Sequence, residues 1–279
     1  MNTEVRLTTT ARLEQVLALP VDAVSIGQEG CLTKLPDLHE LRDAAARIRD
    51  VGIRAGVVLP AAWQRGAAHI HDLAVALAAD GPLTLTVNDI GTLAALSART
   101  LPGCELAAGL GLFPGRPHLA EEAPRRPLET AVYEDGFLTE LEAFGVRVLE
   151  ADATAVVPER DGWSVRRLAD VIPVAWARSC PTARHHNLAQ PNCRSACDTP
   201  SHLVATQRWQ LGHGHREPIP VADRPHQVPL TVYGNAVYAT APVAAPAAGD
   251  VIIDVRFHTP QALAGHIASL RPRATAASF

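Results

Sequence analysis

The chain has 279 residues, is 47% hydrophobic and carries a net charge of −4. That length can bury a full core. The acidic balance and the lack of a long basic stretch weigh against a nucleic-acid binder held by phosphate contacts. No apolar run approaches the roughly 18 residues of a membrane span, and Met1-Asn2-Thr3-Glu4-Val5-Arg6 has no signal-peptide core, so a cytoplasmic protein is expected. In that reducing compartment, an odd count of five cysteines reads as metal ligands or catalytic groups rather than disulfides. Lys34 is the one lysine; arginine-rich coding bias is the plain explanation.

The predicted elements alternate. A buried strand at 21–26 ends at Gly27. A helix at 37–49 carries Leu38, Leu41, Ala45 and Ile48 at helical spacing, with Asp37 as its cap. Strand 54–59, closed by Pro60, leads to helix 69–79. Strand 83–87 ends at Asn88 and Asp89; a short helix at 92–99 and strand 105–110 follow. Residues 114–127 form a proline- and charge-rich connection. Helix 140–144, strand 146–149 and an apolar run at 168–176 then lead to Cys180. From 185 to 229 regularity is lost, and this stretch holds six of the 12 histidines. Two strands then flank Tyr233-Gly234-Asn235-Ala236, where glycine and asparagine supply a hairpin turn. A low-complexity connector spans 242–249, before strand 251–257 and terminal helix 260–270; the tail beyond Arg271 is expected to fray. Alternating strands and helices imply parallel pairing with right-handed crossovers. The expected fold is an α/β, TIM-like (β/α) barrel, regular or not, as a single domain over 1–279. Its Cys/His/Pro-rich insertion covers about 178–229 and its C-terminal β-hairpin about 228–241.

Four cysteines carry the strongest chemical signal. Cys31 lies just beyond the strand at 21–26, and Cys180 just beyond the run at 168–176. In a parallel barrel all strand C-termini open on one face, which bears the functional loops, so both are expected at the same mouth. Cys193 and Cys197, on the loop that follows, are one helical turn apart and face one way if that segment is helical. Four thiolates complete the ligand set of an iron–sulfur cluster or a zinc ion. The gap between Cys180 and Cys193 fits neither a zinc ribbon nor the usual ferredoxin run, which disfavours zinc without removing it. Ordinary buried thiols are the third reading; the polar neighbours Arg184, Asn187, Asn192 and Arg194 count against it. Cys104, after Pro102-Gly103, reads as a packed core thiol.

Ile26-Gly27-Gln28-Glu29-Gly30-Cys31, Cys180-Pro181-Thr182-Ala183-Arg184, Cys193-x3-Cys197 and the hairpin around Tyr233-Gly234-Asn235 together resemble the UbiV-like members of the collagenase-like peptidase (U32) family. The resemblance spans most of the chain, thinly in the middle. It implies a TIM-like barrel with a [4Fe–4S] cluster on Cys31, Cys180, Cys193 and Cys197. It also implies a heterodimer with a UbiU-like paralogue and hydroxylation without dioxygen, with prephenate as oxygen donor. Relatives hydroxylate RNA bases, and the acceptor here is open between a small molecule and a peptide. His185, His186 and His213-Gly214-His215 depart from the family pattern. A non-catalytic scaffold tied by zinc or a cluster, and a peptidase as the family name suggests, are the alternatives.

Weaker candidates have two readings each. His185-His186 and His213-x-His215 suit zinc or iron, or are exposed loop histidines. His69-x-His71 reads as surface at a helix start. Glu29 orients a substrate, or is a solvated loop carboxylate. Arg184 grips an anionic donor, or forms a salt bridge. Glu150 and Asp152 face the opening, or cap the next helix. There is no Gly-x-Ser-x-Gly elbow and no His-Glu-x-x-His, so no ordinary hydrolase is recognisable.

Overall fold

In the computed structural model the described residues are 1–62, 64–112, 133–177, 180–193, 196–204, 208–212, 215–219, 229–240 and 249–270. The connection expected at 114–127, nearly all of the connector at 242–249 and the tail lie outside them. The strands are β1 (Thr3–Leu7), β2 (Ala23–Gly27), β3 (Arg54–Leu59), β4 (Leu83–Val87), β5 (Cys104–Ala108), β6 (Val148–Asp152) and β7 (Ser164–Leu168). After them come β8 (Val171–Trp176), β9 (Ser201–Val204), β10 (Arg208–Gly212), β11 (His215–Ile219), β12 (Pro229–Tyr233), β13 (Ala236–Thr240) and β14 (Asp250–Asp254). The helices are α1 (Leu13–Leu17), α2 (Leu38–Asp50), α3 (Gln64–Ala78), α4 (Ile90–Ser97), α5 (Asp135–Ala143), α6 (Pro181–His185) and α7 (Pro260–Leu270).

β1 to β7 and β14 close an eight-stranded parallel barrel, with β14 between β7 and β1. The expected TIM-like fold is therefore present. β2 and β6 are buried at every position, as strands covered on both faces must be. Asp37 caps α2 with a reciprocal box: Glu40 N donates to Asp37 Oδ1 at 2.9 Å and Asp37 N to Glu40 Oε2 at 3.2 Å. α2 then buries Leu41, Ala44, Ala45 and Ile48, and α7 buries Leu263, Ile267 and Leu270. Gly27 has φ +121°, and a Cβ there would meet the Val58 carbonyl oxygen at 2.2 Å. Only glycine lets β2 leave the barrel this close to β3.

Two corrections follow. The run at 168–176 is two strands: Leu168 ends β7 in the barrel, while β8 belongs to a separate antiparallel sheet ordered β8-β13-β12-β9. The stretch from 185 to 229 is also not wholly irregular, since it contains β9 and the antiparallel pair β10–β11. The expected hairpin is β12–β13, with Tyr233 opposite Ala236 and Gly234 at φ +62°. The added sheet lies on the barrel: Ala236 and Tyr238 pack with Leu110, Leu168, Val171 and Ile252.

The barrel interior is ionic where branched apolar layers are usual. Arg6 Nη1 donates to Glu29 Oε1 at 3.2 Å and Nη2 to Glu150 Oε1 at 2.5 Å. Arg166 reaches Glu4 at 2.9 Å and Glu150 at 3.1 Å. Ser25 donates to Glu4 at 2.5 Å and Thr86 to Glu150 at 3.0 Å. Glu150 thus lies within β6, wholly buried, and neither faces the opening nor caps a helix. Asp152 accepts from Thr154 N and Oγ1 at 2.8 and 2.6 Å and caps a turn. Burial alone would raise the Glu4 and Glu29 carboxyls. Arg166 and Arg6 beside Glu4, and Arg256 and Arg6 beside Glu29, hold both below the ordinary range.

Arg6→Met takes one cation from three buried carboxylates, Glu4, Glu29 and Glu150, each of which keeps a second arginine, and the expected loss is about 3 kcal/mol in denaturant unfolding at neutral pH. Glu4 and Glu29 titrate lower folded than unfolded. Their stabilisation is complete above the unfolded carboxylate range and is lost as pH falls through the lowered folded values. Melting temperature followed down in pH should show that fall, and Glu29→Gln should make it shallower.

Candidate metal centre

Cys31 is placed by what precedes it. Gln28 and Glu29, at the exit of β2, are both held by Arg256: Nη1 donates to Gln28 Oε1 at 3.1 Å and Nη2 to Glu29 Oε2 at 3.4 Å. The chain then turns through Gly30, and Cys31 opens a 3-10 turn at Leu32–Lys34. Gln190 Nε2 donates to Cys31 Sγ at 3.5 Å. Cys180 is the N-cap of α6, with Pro181 in the first turn, and its sulfur accepts from Ala183 N at 3.4 Å. Cys193 packs with Cys180, Ala183 and Leu188. Cys197 sits in the 3-10 turn Ala196–Asp198, against Gly234. Residues 194–195 lie outside the described set, so the helical pairing expected for Cys193 and Cys197 has no description.

All four thiols are free and buried, and they share one electrostatic neighbourhood. Burial pushes the Cys31 thiol up, the backbone N–H groups of Lys34 and Thr33 pull it back, and Cys180 and Cys193 raise it further. Burial pushes Cys197 to about 11, with Lys34 opposing and Cys31, Asp198 and Cys180 adding. Among the described residues, no three His, Cys, Asp or Glu side chains are gathered tightly enough to hold a metal ion.

The route by which Cys180 arrives differs from expectation. It follows β8, which is not a barrel strand. It reaches the mouth because the added sheet is fastened there, with Tyr238 Oη donating to Glu29 Oε2 at 3.2 Å and accepting from Arg256 Nη1 at 3.0 Å. Arg256 also pairs with Asp254 and lies 5.0, 5.6 and 5.8 Å from the rings of Tyr238, Phe257 and Tyr233.

Beside Cys197 a cavity of about 270 Å³ opens at the C-terminal ends of β1, β2 and β14, lined among others by Arg12, Lys34, Tyr233, Arg256 and His258. Arg12 Nη1 donates to the carbonyls of Val255 and His258 at 3.0 and 3.2 Å, and Nε to Gln15 at 3.2 Å. Among the described residues its Nη2 has no partner, nor does Thr8 Oγ1 on the same wall. Lys34 Nζ pairs with Asp198, whose side chain is 70% exposed. His258 Nε2 meets Asp170 Oδ2 at 2.7 Å. Burial pushes the Asp170 carboxyl up, against the pull of its hydrogen bond with His258.

Other candidates fall elsewhere. Glu29 is 2% exposed and engaged by Arg6, Arg256 and Tyr238, so it is neither a solvated carboxylate nor free to orient a ligand. Arg184 is exposed and makes no ion pair among the described residues. His185 and His186 are exposed and stack edge to face at 5.0 Å. His213 and the side chain of His215 lie outside the described set. His69 is exposed and His71 half-buried, both in the interior of α3. Cys104 is half-buried against the main core. Arg12, Asp170, Arg256 and His258 carry no motif in the sequence, and Asn235 reads there only as a turn residue. Their signal is position, since Asp170, Arg256 and His258 directly follow β7 and β14 and Arg12 closes the loop after β1.

No protein-family model matches the chain, and no curated protein matches it. Among solved structures, the U32 peptidase Mk0906 is similar at 12% identity and TM-score 0.48, covering 91% of this chain and 92% of that one. The N-(5'-phosphoribosyl)anthranilate isomerase from Pyrococcus furiosus is similar at 13% identity and TM-score 0.39, over 60% of this chain and 76% of that one. A dihydrodipicolinate synthase from Agrobacterium tumefaciens stands at 16% and 0.37, over 60% and 63%. Likeness at this level carries no argument about chemistry.

In the folded, metal-free chain, alkylation should reach half-buried Cys104 before Cys31, Cys180, Cys193 and Cys197. Peptide mapping by mass spectrometry gives the order.

Proposed function

We propose that the chain is an iron–sulfur protein of UbiV type, with a [4Fe–4S] cluster on Cys31, Cys180, Cys193 and Cys197. In this reading it forms a heterodimer with a UbiU-like paralogue and takes part in hydroxylation without dioxygen. The proposal rests on four buried thiols, one on the loop after β2 and three between β8 and β9, that lie in one electrostatic neighbourhood, with Cys197 in the wall of a cation-lined cavity at the barrel mouth. A cuboidal cluster takes one thiolate per iron, so it needs sulfurs spread around a region. Zinc needs every sulfur about 2.3 Å from one point, and the gap between Cys180 and Cys193 fits no zinc ribbon. The donors from Ala183 and Gln190 to the sulfurs, and Lys34 beside Cys197, suit a thiolate-rich centre.

When bound, the cluster supplies one-electron chemistry. The chain's own residues bind and orient. Arg12, which has no carboxylate partner among the described residues, and Lys34 offer charge-assisted hydrogen bonds to an anionic oxygen donor such as prephenate. Tyr233 and Val255 give that ligand an apolar wall. Asp170 holds one nitrogen of His258 and so fixes the ring that lines the cavity.

Anaerobic purification or reconstitution should yield a brown protein absorbing broadly near about 400 nm, with about four iron and four sulfide per chain. Serine at any of the four cysteines should lower that content. Zinc without sulfide would support the scaffold reading instead. With the cluster intact, Arg12→Ala should weaken prephenate binding about tenfold or more in equilibrium dialysis.

A further inference from the structure

We propose that the β12–β13 turn, Tyr233 to Asn235, is a clasp that sets the relative positions of Cys31, Cys180 and Cys197, with Asn235 as its positioning residue. The inference rests on the reading of these cysteines as one ligand set.

Asn235 is 5% exposed, and its amide nitrogen has two hydrogens to place. One goes to the carbonyl of Gly30, the residue before Cys31. The other goes to the carbonyl of Ala177, three residues before Cys180, at 3.3 Å. The Asn235 carbonyl in turn accepts from Ala177 N at 2.8 Å. On the far side of Cys180, Thr182 donates to the Gly234 carbonyl from its backbone N at 3.4 Å and from Oγ1 at 3.1 Å. Gly234 itself lies against Cys197: a Cβ built on it would stand 3.6 Å from both Cβ and Sγ of that cysteine. Two consecutive residues, Gly234 and Asn235, therefore face the chain just before Cys31, both flanks of Cys180, and Cys197. Cys193 is set at one remove, through its packing on Cys180 and Ala183.

The chemistry demands asparagine. Two carbonyl oxygens from separate loops are joined by one nitrogen with two hydrogens. Aspartate at this position would turn acceptor oxygens toward acceptors, and alanine would leave the half-buried carbonyls of Gly30 and Ala177 without this donor. Gly30 meets the other half of the demand. A Cβ there would sit 2.8 Å from both Nδ2 and Oδ1 of Asn235, so any larger residue pushes the amide off its carbonyls. Loops as far apart in sequence as those of Cys31 and Cys180 have no local reason to keep register, and a site on loops is only as exact as the shell that supports it.

The test compares the full wild-type chain with Asn235→Ala and Asn235→Asp under anaerobic conditions. Before reconstitution, alkylation at each cysteine is followed by mass spectrometry, with Cys104 as internal reference. After reconstitution, survival of the visible absorbance and the electron paramagnetic resonance signal is followed during challenge with an iron chelator. Both variants should speed alkylation of Cys31, Cys180 and Cys197 about tenfold or more, leave Cys104 unchanged, and shorten survival of the loaded centre by a similar factor. Wild-type rates, or acceleration that includes Cys104 equally, would overturn the clasp. If Asn235→Ala does not fold, Gly30→Ala, which keeps the asparagine, is read by the same criterion. A wild-type chain that takes up no cluster defeats the proposed cofactor, while the alkylation arm still decides the clasp.

Discussion

A carboxylate removed from water must be ringed by donors, and Glu29 is the carboxylate on which this architecture turns. Its three partners come from three parts of the molecule: Arg6 inside the barrel, Arg256 at the mouth, and Tyr238 from the added sheet. Moving any one leaves a buried charge short of donors, which costs far more than an exposed ion pair would. Buried ion pairs are weak contributors to net stability, because desolvation offsets most of their attraction. What they confer here is geometry. The exit of β2 is pinned between barrel and sheet, and Cys31 emerges two residues later with little freedom.

The same ionic interior explains which strands the sequence conceals. β2 to β5 read as apolar runs because their inward residues are mostly small or apolar. β1, with Glu4 and Arg6 at inward positions, and β7, with Arg166, look like solvated segments although β1 is buried throughout and β7 buries Arg166 and Leu168. A polar barrel core breaks the rule that buried strands are apolar. β8 misleads in the opposite sense, because its apolar run resembles a barrel strand and yet pairs with β13. The capping box of α2, the Gly-Asn turn and the terminal helix were legible because local chemistry settles them.

The candidate site divides along the same line. Clustering made the four cysteines visible, since thiols in a polar loop stand out from composition alone. The strand-end argument holds for Cys31, which follows barrel strand β2, and fails for Cys180, which follows β8. The structure brings Cys180 in through the hairpin sheet instead. Arg12, Asp170 and His258 were hidden because a single arginine, aspartate or histidine has no signature until the strands that carry it are placed.

Cys197 and Lys34 stand both in the wall of the cavity and beside the other thiols. Under the proposed function this makes the two sites electrostatic neighbours. Because Cys197 is buried, a unit of charge on either side is felt on the other. The nearest cation, Lys34, has a mostly exposed carboxylate as its partner, so its charge is only partly spent. Adding negative charge at the thiols and placing an anion in the cavity then draw on one lysine. A ligand bound there should be sensed by the metal centre without any change of fold, because the coupling needs only the shared wall.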